Sequence, residues 1–411
     1  MKKTITLIFV TLFALAAVFA QGATDDGLYA GVSNKAYRPL NSNYYDGLNY
    51  SLFRNPSDLA TARLRIQGMS LNAASYNFAQ AVQNRSVAEA LSNLTKFKFG
   101  DTNNWIAYVL GLTLETGSGY NDIFGLSVGT GAQINNYAFA FNVDVTEKSM
   151  PYITTDESGH EKIDPSKRSV LGNGYVPFAD YAISFGYGRR IIDDYNLTLD
   201  VGASIHLAGK VYMKQVNFDS FRDIMYRNKG YKDFPARGGF AIPVDLGLTF
   251  SFPVSHIKAD VTINNINGYY YMRNYECLDQ AALYVNGTDS YVVYTPWTVS
   301  ASVQYSPEFK NFNPTVTFEF IDMNRYFMDE LDQESPMKEL FKYMSLGVKF
   351  DIYRIVSLRA AYKYGYPEVG ICVGYKGNSL ELVYGFQERG EEYGFKPVDY
   401  LSFRVKIGFE K

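Results

Sequence analysis

The chain has 411 residues and a formal net charge of −3, and its Lys and Arg residues form no basic cluster. Nucleic acid is therefore excluded as a partner, because phosphate binding needs concentrated positive charge. Two cysteines, Cys277 and Cys372, and three scattered histidines supply neither a disulfide framework nor a metal-ligand set, so neither a metal nor a cofactor is expected.

In chain order, Lys2 and Lys3 precede an apolar run from Ile5 to Ala20, with Val18 and Ala20 placed as the small residues before a cleavage at Gln21. Residues 1–20 read as a secretory signal, the run being too short to span a membrane as a helix. No cysteine follows it, so no lipoprotein acylation is expected. The rest holds no other long apolar stretch and no Pro-, Ser- or charge-rich linker, which predicts one large unit without helical spans.

Residues 21–103 differ in character from the remainder of the chain. Turn-rich polar sequence runs to Asn55, and an amphipathic helix is expected from about Ser75 to Phe97, with Phe78, Val82, Val87, Leu91 and Leu94 on its apolar face. Such a helix could cap a strand or sit in an external loop; a plug or hatch inside a barrel is the preferred reading.

From residue 104 onward, strict alternation dominates. Leu197, Leu199, Val201, Ala203, Ile205 and Leu207 alternate with Asp200, Ser204 and His206, and the dyad recurs at 137–146, 240–250 and 401–409. Long segments with one apolar and one polar face fit a transmembrane antiparallel β-barrel, lipid outside and polar lumen inside, better than a sandwich of short strands around one core. With 35 Tyr and 29 Phe the chain can also supply the aromatic girdles of such a barrel.

Strand candidates lie near 104, 121, 136, 176, 196, 239, 257, 291, 313, 342, 354, 368, 380 and 399, which makes about fourteen. Short turns near 193, 253, 311, 351 and 377 alternate with long connections near 148–175, 215–238, 273–290, 324–341 and 390–398, as short periplasmic turns and long external loops would. Residues 104–411 are thus read as barrel. Arg63–Ala73 is a further strand candidate that breaks the even count, and it belongs either to the wall, with a second missed strand near 44–53, or to the plug.

Alternation puts Asp180, Asp200, His206, Lys210, Asp245, Asp260, Glu319, Glu381 and several cations inside. The bland account is a neutralising lumen network; the sharper one is that Arg359, Lys363, Arg404 and Lys406 hold the anionic head of a lipid-like ligand. His160, His206 and His256 show no serine-nucleophile motif or metal spacing, so no catalytic residue is assigned and an enzyme is not expected.

The stretch Phe53–Ala60, with Asn55 and Pro56 at its centre, resembles the Asn-Pro-Ala signature of FadL-type transporters, with Ser57 where that family usually has alanine. The resemblance implies a fourteen-stranded barrel of the bacterial outer membrane, closed by an N-terminal hatch that carries Asn55 and Pro56. It also implies uptake of small hydrophobic molecules such as long-chain fatty acids. The last strand resembles the signal read by the barrel-assembly machinery, with Phe409 as its aromatic and Glu410 and Lys411 after it. Outer-membrane lipid and that machinery are then the expected partners. A general diffusion porin, or a scaffold barrel carrying a partner protein, is the alternative function.

Overall fold

The computed structural model describes residues 48–61, 63–76, 121–150, 153–155, 161–163, 174–213, 236–327, 340–353, 355–388 and 397–410. Seventeen ladder segments form one antiparallel sheet, and six of them are the halves of three interrupted strands, so the wall has fourteen strands. These are β1 (Arg63–Tyr76), β2 (Asn121–Asn135), β3 (Tyr137–Met150), β4 (Gly174–Asp193) and β5 (Thr198–Met213). Next come the interrupted β6 (Ala236–Ala241, Val244–Phe252), β7 (Ile257–Ile266, Tyr269–Tyr275) and β8 (Thr288–Tyr294, Thr298–Tyr305). The circuit ends with β9 (Phe312–Phe320), β10 (Met344–Ile352), β11 (Val356–Lys363), β12 (Tyr366–Tyr375), β13 (Asn378–Glu388) and β14 (Pro397–Glu410).

Closure is made by β1. It pairs with β14 on one side, Ile66 opposite Phe409, and with β2 on the other, Arg63 opposite Asn135. Each of the fourteen described strands therefore has a neighbour on both sides, which is what a barrel in hydrocarbon requires. The wall begins at Arg63, and the open question over Arg63–Ala73 is settled in favour of a wall strand, without the companion strand expected near 44–53, where Leu48–Phe53 is a helix. This corrects the expected strand list: β1 takes the first place, and the candidate near residue 104 lies outside the described residues. Ser75 belongs to β1, so it does not start the expected amphipathic helix; the remainder of that helix and the signal segment also lie outside the described residues.

The alternation becomes an inside-out distribution. Phe139, Phe141, Phe185, Ile205, Leu207, Leu346, Ile371 and Phe403 are exposed on the outside, whereas Asn142, Asp144, Ser184, Asp200, His206 and Arg404 are buried within. A soluble protein would hide the first set; lipid solvates it here. Among the described residues no helix is long and apolar enough to cross a membrane.

Turn lengths follow the expected alternation. At the rim where β1 begins and β14 ends, a single residue, Asn136, joins β2 to β3, and the other connections at that rim are short. The opposite rim carries the long connections, with one exception: β11 and β12 are joined there by only Tyr364 and Gly365. Both have positive φ, 54° and 89°, as a tight two-residue hairpin demands.

The interruptions of β6, β7 and β8 sit side by side. Pro243 and Pro296 donate no backbone hydrogen bond, and Asn265 and Asn267 take left-handed φ values of 62° and 65°. Their side chains repair the ladder: the Asn265 amide donates to the Thr295 carbonyl at 2.7 Å and the Asn267 amide to the Ile242 carbonyl at 3.2 Å.

Candidate functional site

Inside the barrel, toward the short-turn rim, lies a compact segment made of α1 (Leu48–Phe53) and a 3-10 turn (Pro56–Ala60). Its local form follows from sequence. Asn55 caps the turn by accepting from the Ser57 amide, and Pro56 occupies the first position, where its missing N–H costs nothing. Every residue of α1 is buried. This is the plug, although the helix within it is not the one expected at 75–97.

The wall is shaped to receive it. Gly188 on β4, Gly202 on β5 and Gly247 on β6 stand in register across three neighbouring strands, all facing inward. A methyl group on Gly202 would lie 2.1 Å from the Pro56 carbonyl oxygen, and one on Gly188 would lie 2.3 Å from the Ala60 nitrogen. One on Gly247 would meet the Asn55 side chain at 2.4 Å. The plug backbone thus rests directly on wall backbone, an approach only glycine permits. Above this row, Gly186 makes room for Leu52 and Leu59, and Gly131 for Leu48.

Polar contacts fix the register of the plug. The Asn55 amide donates to Asp260 at 3.0 Å and to Thr249 at 3.1 Å, and the Ser57 hydroxyl is 2.6 Å from that of Thr249. Wall side chains also satisfy plug carbonyls: Ser204 donates to Leu52 at 2.6 Å, and Asn136 donates to Ala60 at 2.9 Å. These carbonyls would otherwise be buried without partners. Phe53 stacks on His206, with ring centroids 4.5 Å apart, while His206 lies 2.8 Å from Ser184 and 3.1 Å from Asp245.

Charge contributes as well. Asp58 accepts from Ser51 at 2.6 Å and stands 3.5 Å from Arg65, which in turn reaches Glu410 at 2.9 Å. Burial by itself would raise the Asp58 carboxyl. The positive charges of Lys258, Arg65 and Arg63 outweigh it, and its pKa falls below the ordinary carboxylate value. Tyr50, wholly buried among carboxylates, is pushed well above the ordinary phenol value, first by burial and then by Asp260 and Glu319. Across the lumen, Arg54 is 3.5 Å from Glu319 and 3.5 Å from the Tyr364 hydroxyl.

Apolar contact makes the third component. Leu48, Leu52, Phe53 and Leu59 of the plug join Ala138, Ala140, Ala182, Ala208, Ala241, Tyr270 and Met272 of the wall in one cluster inside the barrel. Lys210 sits at its border, 4.9 Å above the Tyr270 ring and 3.7 Å from Asp180.

The cations singled out as head-group ligands lie on the other side of the lumen, on β11 and β14. Arg359 reaches Glu381 at 2.8 Å, Arg404 reaches the same carboxylate at 2.5 Å, and Lys363 is 3.6 Å from Glu368. Tyr400 donates to Glu368. Lys406 lies next along β14, in register with Ser379. The structure thus gathers Arg359, Lys363 and Arg404 into one ladder with carboxylates, and it gives Asn55 and Pro56 a defined task, seating the plug. The inward glycines and the Asn136 and Ser204 donors were not singled out from sequence. The signal that could have found them is glycine on the polar-face parity of successive strands.

No protein-family model matches the chain, and no curated protein matches it. Among solved structures it is similar to the toluene transporter TodX of Pseudomonas putida, at 10% identity over 90% of this chain and 94% of that one, with a TM-score of 0.41. It is similar also to the monoaromatic hydrocarbon channel CymD, at 11% identity over 90% and 93%, TM-score 0.40. A FadL homologue of Pseudomonas aeruginosa shares 10% identity over 90% and 96%, TM-score 0.37. Likeness at this level says nothing of cargo.

Proposed function

We propose that this chain is an outer-membrane transport protein that takes up small hydrophobic molecules, long-chain fatty acids or related amphiphiles, past a movable N-terminal plug. The observation that carries the reading is the apolar cluster inside the lumen, formed jointly by plug and wall. A diffusion porin needs no such surface, and a scaffold barrel needs no plug seated by separate backbone, hydrogen-bonding and ionic contacts. If the plug shifts, the faces of Leu52, Phe53, Tyr270 and Met272 become available to an alkyl chain. Each buried methylene contributes about 0.8 kcal/mol, so a dodecyl chain binds well even with a weakly held head. Export by the signal segment and insertion by the machinery that reads a strand ending near Phe409 belong to the same reading, as does a topology with the long connections outside.

Two cation sets compete for the head group: Arg359, Lys363, Arg404 and Lys406 of the ladder, and Lys210 at the border of the apolar cluster. Binding of laurate and of dodecanol to the detergent-solubilised protein, measured by calorimetry, tests both. Arg404→Glu with Lys406→Glu should weaken laurate more than dodecanol if the ladder holds the head, and Lys210→Gln should do so if Lys210 does. Absence of binding by either ligand to the folded wild type refutes hydrophobic transport.

A further inference from the structure

The described part of the plug, residues 48–61, lies against one side of the lumen. On the strands it touches, the inward side chains beside it are enclosed, Lys210 keeping 5% of its side chain exposed, Asp200 6% and His206 3%, while Asp180, Lys258 and Arg190 on the same side keep 29%, 28% and 37%. Opposite, on β10 and β11, inward side chains meet solvent. Lys349 is 36% exposed, its partner Asp351 26%, Arg359 20% and Lys363 19%. These four run from the short-turn rim, where Asp351 lies, to the other rim, where Lys363 ends β11. Among the described residues, solvent therefore meets inward side chains near both ends of β10 and β11. The strand is short, eight residues or about 26 Å of extended chain. Above it the connection is only Tyr364 and Gly365, so no long loop rises from this part of the rim.

The charges on this face are unequal. Lys349, Arg359, Lys363, Arg404 and Lys406 outnumber Asp351, Glu368 and Glu381, and the more buried partners are the carboxylates: Glu368 keeps 7% of its side chain exposed and Glu381 4%. Glu410, at the end of β14, is taken up by Arg65 and Arg63 of β1. What solvent meets along this face is mainly positive. A lumen lined by one prevailing sign concentrates the opposite ion.

We propose that the inner face of β10–β13, beside the seated plug, is a hydrated path through which small hydrophilic anions pass independently of hydrophobic cargo. Arg54, facing Tyr364 and Glu319, forms the plug's border with it.

Cys372 provides a native probe. It lies on this inner face, in register with Ser357 on β11 and Glu381 on β13. The full-length protein carrying Cys277→Ser should show a steady conductance in planar bilayers, with a reversal potential under a KCl gradient that favours chloride. Modification of Cys372 by a methanethiosulfonate ethylsulfonate reagent should cut that conductance, and the Cys372→Ser variant should be indifferent to the reagent. Lys349→Glu with Lys406→Glu should shift the reversal potential toward cations. Locking the plug by Ser57→Cys with Thr249→Cys, whose parent hydroxyl oxygens are 2.6 Å apart, should leave the conductance in place. The proposal is overturned if the folded wild type does not conduct, or if Cys372 fails to react. It is equally overturned if modified Cys372 leaves the current unchanged, if the charge reversal leaves the reversal potential unchanged, or if locking the plug abolishes the current. None of these readouts depends on whether laurate binds, so transport and conduction stand or fall separately.

Discussion

The two sides of the lumen are built from the same kind of strand, apolar outward and polar inward, yet they treat the interior in opposite ways. On β4–β6 the inward positions include a register of glycines that lets a second piece of chain lie against the wall, and the polar groups around it bind that piece. On β10–β14 the inward positions hold long charged side chains that bind one another. Removing side chains makes a seat, and adding ionised ones makes a wall that keeps water. Alternation decides only which way a residue faces; the register of Gly188, Gly202 and Gly247 across neighbouring strands is what lets a second piece of chain lie on the wall.

The largest expected effect comes from restoring one side chain to the seat. Gly202→Ala places a carbon 2.1 Å from a backbone oxygen, which no rotamer change can relieve, so the plug must lift or the strand must bend. Such overpacking costs about 3 kcal/mol, and trypsin cleavage after Arg54 should become fast in the folded barrel. The same change at inward-facing Gly347 on β10 meets Ala361 at 3.5 Å and the Ala360 carbonyl oxygen at 4.0 Å, both ordinary contacts, and should leave protease resistance and thermal unfolding unaltered. Equal behaviour of the two variants would break the contrast between the sides.

Next in size is Asn55→Ala. It removes the donor to Asp260 and Thr249 and the acceptor for Ser57, leaving buried polar groups without their partner. A cost of about 2 kcal/mol is expected, seen as plug release at lower urea while the barrel stays folded. Asn55→Asp should be worse, because it sets a second carboxylate against Asp260.

A smaller effect is expected from acid. The pKa of Asp58 is lowered in the seated state, so its ion pair with Arg65 stabilises the plug fully above the unfolded carboxylate pKa of about 4. That contribution is lost progressively as pH falls through the lowered value. Protease sensitivity after Arg54 should therefore rise on acidification, and Asp58→Asn should remove much of the dependence while weakening the seat at neutral pH. A profile identical in wild type and variant would assign the acid response to other groups.

Much of this arrangement was legible in the sequence, and the failures have physical causes. The barrel, its strand number and its rims followed from the period of two and the turn residues, because in lipid each wall residue must choose between two solvents. β1 is ambiguous in sequence because a bulge hides its period. Leu64 and Ile66 point outward on even numbers, but the ladder slips around Gly68 and the outward series continues as Met69, Leu71 and Ala73. Parity then favoured a strand near 104. The cations were placed correctly on the inner face, yet their pairing depends on which strands are neighbours and on register. A single strand does not reveal that Glu381 stands between Arg359 and Arg404. Asn55 and Pro56 were marked by resemblance alone, since Thr249 and Asp260, the partners of Asn55, are about two hundred residues away in sequence.

The smallest stability effect should come from the solvated side, and it sharpens the comparison most. Lys349 and Asp351 are 3.2 Å apart, but 36% of one side chain and 26% of the other meet water, so screening and side-chain entropy offset most of their attraction. Lys349→Gln should change unfolding by less than about 1 kcal/mol, within the range of exposed pairs. The seat of the plug lies across the lumen from this residue, so protease resistance after Arg54 should also stay as in wild type. If the pair were instead part of the seat, its loss would resemble that of Asn55, with faster cleavage and a lower urea midpoint. A side of the barrel that gives up a charge without loosening contributes little to holding the plug, and its lysines and arginines can then be selected for what passes beside it.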